Sequence, residues 1–220
     1  MSTKVLYLGD TALSAAASYL AGVLAHHDIE FDYVASDVTF DASLFADDCT
    51  ALIISDYKSD KFAPADFERI VARVRKGMGL LMIGGYYSFQ GINGGARYHG
   101  TPVEEVLPVE ILPWDDRVEV PEGFTPVVRD RRHPILDGFR GAWPALLGFN
   151  EVKPKPDALV LATVSADYGE KPLLVAGGHG KGRTLAWTSD IGPHWLPPEF
   201  AAWKGYARLW RQSLGWLVGG

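Results

Sequence analysis

Gly79-Leu80-Leu81-Met82-Ile83-Gly84-Gly85-Tyr86-Tyr87-Ser88 is the stretch that decides the fold. It opens on a short apolar run and stops at two glycines, the mark of a strand buried on both faces and ended by a turn. Two upstream stretches share that design. Val5-Leu6-Tyr7-Leu8 stops at Gly9-Asp10, and Ala51-Leu52-Ile53-Ile54 stops at Ser55-Asp56. After the first comes an Ala-rich stretch to about His26, with Thr11 placed to cap it as a helix. Then Ile29, Phe31 and Tyr33 alternate with polar residues, predicting a strand over 29–34. Pro64 suits the first turn of a helix that repeats Phe67, Ile70, Val71 and Val74 at helical spacing and ends at Gly77. The first 85 residues therefore read β-α-β-β-α-β. Continuous apolar strands of this kind belong to a parallel sheet covered by helices on both faces.

Downstream the regularity fades. Residues 86–157 carry most of the 14 prolines and predict an elaborated crossover packed on the sheet, with one helical turn at 103–107 and a strand at 117–120. Strands return at 158–164, 172–176 and 183–188. The glycine-rich stretch 177–182 between the last two reads as a hairpin. It is not a phosphate loop, because Lys181 is followed by Gly182 and a strand rather than by Ser or Thr and a helix. Residues 91–95 fail as a dinucleotide fingerprint for want of a following helix and read as a mobile loop. A closing helix over about 200–218 puts Trp203, Tyr206, Trp210, Leu214 and Leu217 on one core-facing stripe, with Lys204 on the wet face. No linker or repeat divides the chain, so 1–220 reads as a single α/β domain.

Composition excludes several classes. Hydrophobic residues make up 47% and charged residues 22% of the 220, ordinary values for a folded globule that should bury roughly 70% of its unfolded surface. A net charge of −6 argues against nucleic-acid binding. Residues 28–60 hold nine carboxylates against Lys58 alone, either a solvated acidic face or a guide for a cationic ligand. No run approaches a membrane span and residues 1–30 lack a secretory signal, so the expected address is cytoplasmic. The one cysteine, Cys49, precludes an internal disulfide; it precedes a strand and reads as a buried structural thiol. The six histidines have no metal-ligand spacing. His26 and His27 should point apart on a helix. Asp190 and His194 could share a metal but show no evident third ligand, so neither metal nor cofactor is expected.

The positions just past the strands carry the functional signal. Parallel α/β sheets bind ligands beyond the carboxyl ends of their strands. There stand Asp10, then Ser55-Asp56-Tyr57, then Gly84-Gly85-Tyr86-Tyr87-Ser88, then Ser189-Asp190. Asp10, Asp56, Tyr57, Gly85, Tyr86 and Tyr87 are expected to contact a ligand; Ser88, His194 and Asp190 are the candidates for chemistry. Asp and Ser also close turns and cap helices there as a matter of routine. Helix N-termini at that edge would favour an anionic or polar ligand.

The stretch 79–89 resembles the strand and turn that hold the nucleophile in class I glutamine amidotransferase-like proteins. Arg132-His133-Pro134-Ile135-Leu136-Asp137-Gly138-Phe139, the stretch 180–190, Gly192-Pro193-His194-Trp195 and the closing helix are similar to one branch, the bacterial cytoplasmic proteins labelled putative glutamine amidotransferases. The resemblance covers essentially the whole chain and implies a flavodoxin-like three-layer sandwich with a mainly parallel central sheet. The departure is chemical. Working amidotransferases place a cysteine in the turn after this strand, activated by a histidine and a glutamate. Here the turn has no cysteine, and position 196, two beyond His194, is Leu.

The expected function is therefore small-molecule binding without glutaminase activity. Two alternatives stand beside it. One is a hydrolase using Ser88, His194 and Asp190 on a small, carbohydrate-related substrate, as some relatives of this fold imply. The other is a structural subunit of a homo-oligomer.

Overall fold

The computed structural model describes residues 4–219. The first half follows the expected order: β1 (Lys4–Gly9), α1 (Ala17–His26), β2 (Glu30–Val34), β3 (Cys49–Ser55), α2 (Pro64–Lys76) and β4 (Gly79–Ile83). Then come α3 (Pro102–Val106), β5 (Val109–Ile111), β6 (Arg117–Phe124), β7 (Val127–Val128), β8 (Leu146–Asn150) and β9 (Val152–Pro154). The chain closes with β10 (Leu159–Thr163), β11 (Pro172–His179), β12 (Gly182–Trp187), α4 (Pro198–Ala201) and α5 (Gly205–Val218).

Eight strands form one sheet in the order β2-β1-β3-β4-β12-β11-β10-β7. It is parallel from β2 through β12 and antiparallel beyond. The β11–β12 hairpin turns at Gly180 and Lys181, as the glycine-rich stretch requires. Alternation along each central strand supplies two cores. Val5, Tyr7, Ile53, Leu81 and Ile83 meet α1 and α5 on one face, whereas Leu6, Leu8, Leu52, Ile54, Leu80 and Met82 meet α2 and α3 on the other. That is the flavodoxin-like α/β sandwich. The Pro-rich middle adds two small ribbons, β5–β9 and β6–β8, against these cores.

Two helices depart from expectation. Thr11 does not cap α1, because Asp10 and Thr11 both take positive φ (51° and 66°) and turn the chain away from a helical path. The helix starts only at Ala17, whose N–H donates to the Asp10 carbonyl at 2.9 Å. The closing helix is two pieces, interrupted around Trp203 and Lys204. The expected stripe survives the break: Tyr206, Trp210, Leu214 and Leu217 are buried, Trp203 is half-buried and Lys204 is exposed. His26 and His27 also differ from expectation. His27 leaves the helix at its C-cap, and its ring meets that of His26 edge-on at 4.8 Å.

Trp210 packs edge-on to Trp187 at 5.7 Å and is 1% exposed. Trp210→Ala should lower stability by about 3–5 kcal/mol, the usual cost of an emptied aromatic site. Lys204→Ala should leave the denaturant midpoint within error. Equal small effects in urea unfolding would show that the stripe is not what docks α5.

Candidate functional site

Parallel register brings the ends of β1, β3, β4 and β12 to one edge, and three aspartates meet there. Asp10, Asp56 and Asp190 each present a carboxylate oxygen within 4.8 Å of the others. Asp10 follows β1, Asp56 follows β3, and Asp190 lies three residues past β12. Sequence position marks each as a strand-end residue. The sequence expects these strand ends to share one edge; the structure adds their mutual distance, which makes the three carboxylates a group that could hold a cation, beyond the Asp190–His194 pair.

Each carboxylate is held by fixed donors. Asp10 is 2% exposed; its Oδ2 accepts the Tyr7 hydroxyl and its Oδ1 the Ser55 hydroxyl, the latter at 3.0 Å. Asp56, half-buried, accepts the Tyr87 N–H at 2.7 Å. Asp190 lies 3.2 Å from His194 Nδ1. Burial pushes Asp10 up to about 7, with the Tyr7 hydrogen bond opposing it and the Asp190 charge reinforcing it. Burial raises Asp56 well above the carboxylate range, and the charges of Asp190 and Asp10 add to it. Burial raises Asp190 as well, while His194 holds it back.

Gly85 makes the approach of Asp56 geometrically possible. It sits at φ 142°, and a Cβ there would lie 2.3 Å from Asp56 Oδ1. Behind it, Asn150 grips the turn: its Oδ1 accepts the Gly85 N–H at 2.9 Å, and its Nδ2 donates to the Gly85 carbonyl and to Asp116. Asp116 is itself buried and pushed up to about 6 by that burial; it also accepts the N–H groups of Gln90 and Gly91. Residues 91–95 are therefore not the free loop expected. Ile92 N–H bonds to the Tyr86 carbonyl and Asn93 N–H to Asp115. Asn150 and Asp116 went unseen in the sequence because both lie in the Pro-rich middle, where no periodicity singles them out.

The crevice wall is aromatic. The Tyr86 ring meets His194 edge-on at 4.3 Å, and Arg117 lies 4.6 Å from the Tyr86 centroid on its π-face. His194 is held at φ 124°, a backbone state that costs of order 1–3 kcal/mol and is kept only where surroundings enforce it. Its side chain is 40% exposed. Tyr87 stands at the rim under Lys58 at 4.2 Å.

Two candidates change role. Tyr57 turns away from the edge into the second core, fully buried, with its hydroxyl donating to the Val38 carbonyl. Ser88 is also fully buried, and its Oγ accepts the Asp56 N–H at 2.9 Å. A nucleophile must be reachable, so Ser88 is a positioning group for Asp56. Of the anionic or polar ligand expected from helix N-termini, the structure disfavours the anion, because α1 and α2 begin well past the aspartates, which crowd the edge with carboxylates. Cys49 opens β3 at the opposite end from Asp56, buried, with its thiol raised by burial and bonded to the Ala51 carbonyl.

The family profile described as "Putative glutamine amidotransferase" matches residues 10–219. The chain belongs to this family. A cytoplasmic protein of Salmonella typhimurium is 32% identical at a TM-score of 0.88, with 97% of this chain and 98% of that chain covered. A second, from S. typhimurium LT2, is 33% identical at 0.87, with 98% and 99% covered. A glutamine amidotransferase of Thermotoga maritima, 11% identical over the whole of both chains at 0.55, shares the fold. No curated protein matches the sequence. No described helix is long and apolar enough to cross a membrane.

The crowded carboxylates predict a pH dependence. Asp10, raised on folding, binds more protons folded than unfolded between its unfolded pKa of about 4 and its folded value of about 7, and Asp56, raised by burial, does so upward from the same lower bound. Stability from these groups is therefore full below that window and falls as pH rises through it. Asp56→Asn keeps the Tyr87 contact and tolerates φ 44° while removing one charge. Its melting temperature should match wild type near pH 5 and exceed it at the alkaline end of the scan, by about 2–4 °C per kcal/mol relieved. An equal loss at both pH values would show that repulsion is not what the carboxylates contribute.

Proposed function

We propose that this chain is a small-molecule-binding protein on an amidotransferase-like fold, without glutaminase activity, acting as one domain in the cytoplasm, where the Salmonella relatives are named. The observation that carries this reading is the content of the nucleophile turn. Gly84 and Gly85 are followed by Tyr86, Tyr87 and Ser88; the space over Gly85 belongs to the Asp56 carboxylate, and the Ser88 hydroxyl is bonded to the Asp56 backbone. A tyrosine raised by burial, as Tyr86 is, makes a poor acyl acceptor. The ligand that suits the crevice presents hydrogen-bond donors, either hydroxyls or a cationic group, to the three carboxylates and lies against Tyr86 and His194. A sugar-like polyol meets that description.

One observation favours a second reading. The Asp190–His194 contact is the arrangement that orients an imidazole for proton transfer. In that reading His194 activates water, Ser88 stays structural, and the same crevice binds a hydrolysable ligand.

Purified protein should release no ammonia from glutamine above the blank, and Cys49→Ala should behave identically. Turnover abolished by that substitution would overturn the proposal and require a thiol at the site.

A further inference from the structure

Against the outer surface of α5, bordered by the single helical turn Pro134–Leu136, runs an open groove of about 770 Å³. That volume lies within the range of small-molecule sites. Arg183, Arg208 and Arg211 line it, against the single carboxylate of Asp137. The concentration of positive charge stands out in a chain of net charge −6.

Carbonyls, not acids, hold two of the guanidiniums. Arg183 donates to the Trp216 carbonyl at 2.6 Å and lies 5.2 Å from that indole's centroid. Arg208 donates to the Gly138 carbonyl at 3.1 Å. Gln212 joins the two walls by donating to the carbonyls of Pro134 and Asp137, at 3.1 and 3.0 Å. Among the described residues none of the three arginines forms an ion pair, and Arg211 makes no hydrogen bond.

A capping role accounts for Arg183, whose partner is a last-turn carbonyl of α5. It does not account for Arg208 and Arg211. These project from the first half of that helix, away from its C-terminal carbonyls, and no acidic residue stands in its first turn to pair with them. Unneutralised guanidiniums on the wall of a groove, one held by the Gly138 carbonyl and one free to turn, are the arrangement that recognises a compact dianion by paired N–H donors.

We propose that this groove binds the phosphate group of a small phosphorylated metabolite, at a site separate from the carboxylate crevice. Arg183 stands at the start of β12, whereas Asp190 lies beyond its end. Arg208 and Arg211 supply the recognition, and Arg183 and Gln212 fix the groove's shape.

Calorimetric titration with glucose 6-phosphate, inorganic phosphate and glucose tests this. Saturable binding of either phosphate at millimolar concentration or below that persists in Asp56→Asn supports the site, glucose reporting on the carboxylate crevice alone; the ester alone marks an organic ligand, and inorganic phosphate marks the free ion. Arg208→Gln and Arg211→Gln should each weaken binding by about tenfold or more, the loss of a charge-assisted pair. Asp56→Asn should leave it unchanged. Arg211 is exposed and unpaired, so its variant should retain the wild-type circular dichroism spectrum and melt. No saturable binding of either phosphate, or binding unaltered in both arginine variants, would overturn the proposal.

Discussion

Mutual repulsion among Asp10, Asp56 and Asp190 is the constraint around which the carboxyl edge of this sheet is built. Three charges within 4.8 Å in a partly dry crevice cannot all persist without protons, donors or a cation. The fold answers with donors. The Tyr7 and Ser55 hydroxyls, the Tyr87 N–H and the His194 ring each face one of the three carboxylates. Ser88 and Gly85 serve the same end indirectly, one by anchoring the Asp56 backbone and the other by leaving room for its side chain. Burial, reinforced by the neighbouring charges, still raises the carboxyls of Asp10 and Asp56, so these donors do not fully offset the cost of charging them. What remains is available to a ligand that brings donors of its own, and this ties the crevice's instability to its capacity to bind.

The same geometry explains how the amidotransferase architecture persists without its thiol. The nucleophile turn needs support from behind and a backbone able to bend sharply. Asn150 and Asp116 supply the first by binding both peptide groups of Gly85 and the loop beyond it. Gly84 and Gly85 supply the second. None of these groups depends on a reactive side chain at the tip. The turn carries Tyr86, whose aromatic ring is shared by His194 and Arg117.

Much of this was legible in the sequence, for a physical reason. Strands buried on both faces read as unbroken apolar runs, and the parallel-sheet rule places whatever follows them on one edge. Asp10, Asp56, Gly85 and Asp190 could thus be marked without coordinates. What could not be read was distance. The strand order β1-β3-β4-β12 sets which ends touch, and hydropathy does not encode that order. Tyr57 departs from its expected place because one residue decides whether a side chain after a strand faces the edge or the core. Thr11 was misread because Asp10 and Thr11 adopt positive φ under tertiary contacts, the Ser55 carbonyl accepting the Asp10 N–H among them. The closing helix breaks near Trp203 although its apolar spacing runs straight through, since spacing records burial and not backbone continuity.

Charge placement gives the molecule two unlike ends. The carboxylate crevice lies beyond the carboxyl ends of the strands, and the arginine groove begins at the amino end of β12. From Arg183 to the end of β12 at Trp187 the strand alone advances four residues, roughly 13 Å at strand rise, before the chain bends to Asp190. That exceeds the Debye length of about 8 Å at physiological ionic strength, so neither charge cluster neutralises the other through solvent. Arginines near the crevice would pull Asp10 and Asp56 down and offset the crowding internally. Lys58, the only base of the acidic stretch 28–60, is engaged instead on the Tyr87 ring at the rim. The crevice thus keeps its unmet demand for positive charge and hydrogen-bond donors, and the groove keeps its demand for negative charge. A protein whose opposite charges were arranged only for stability would have paired them.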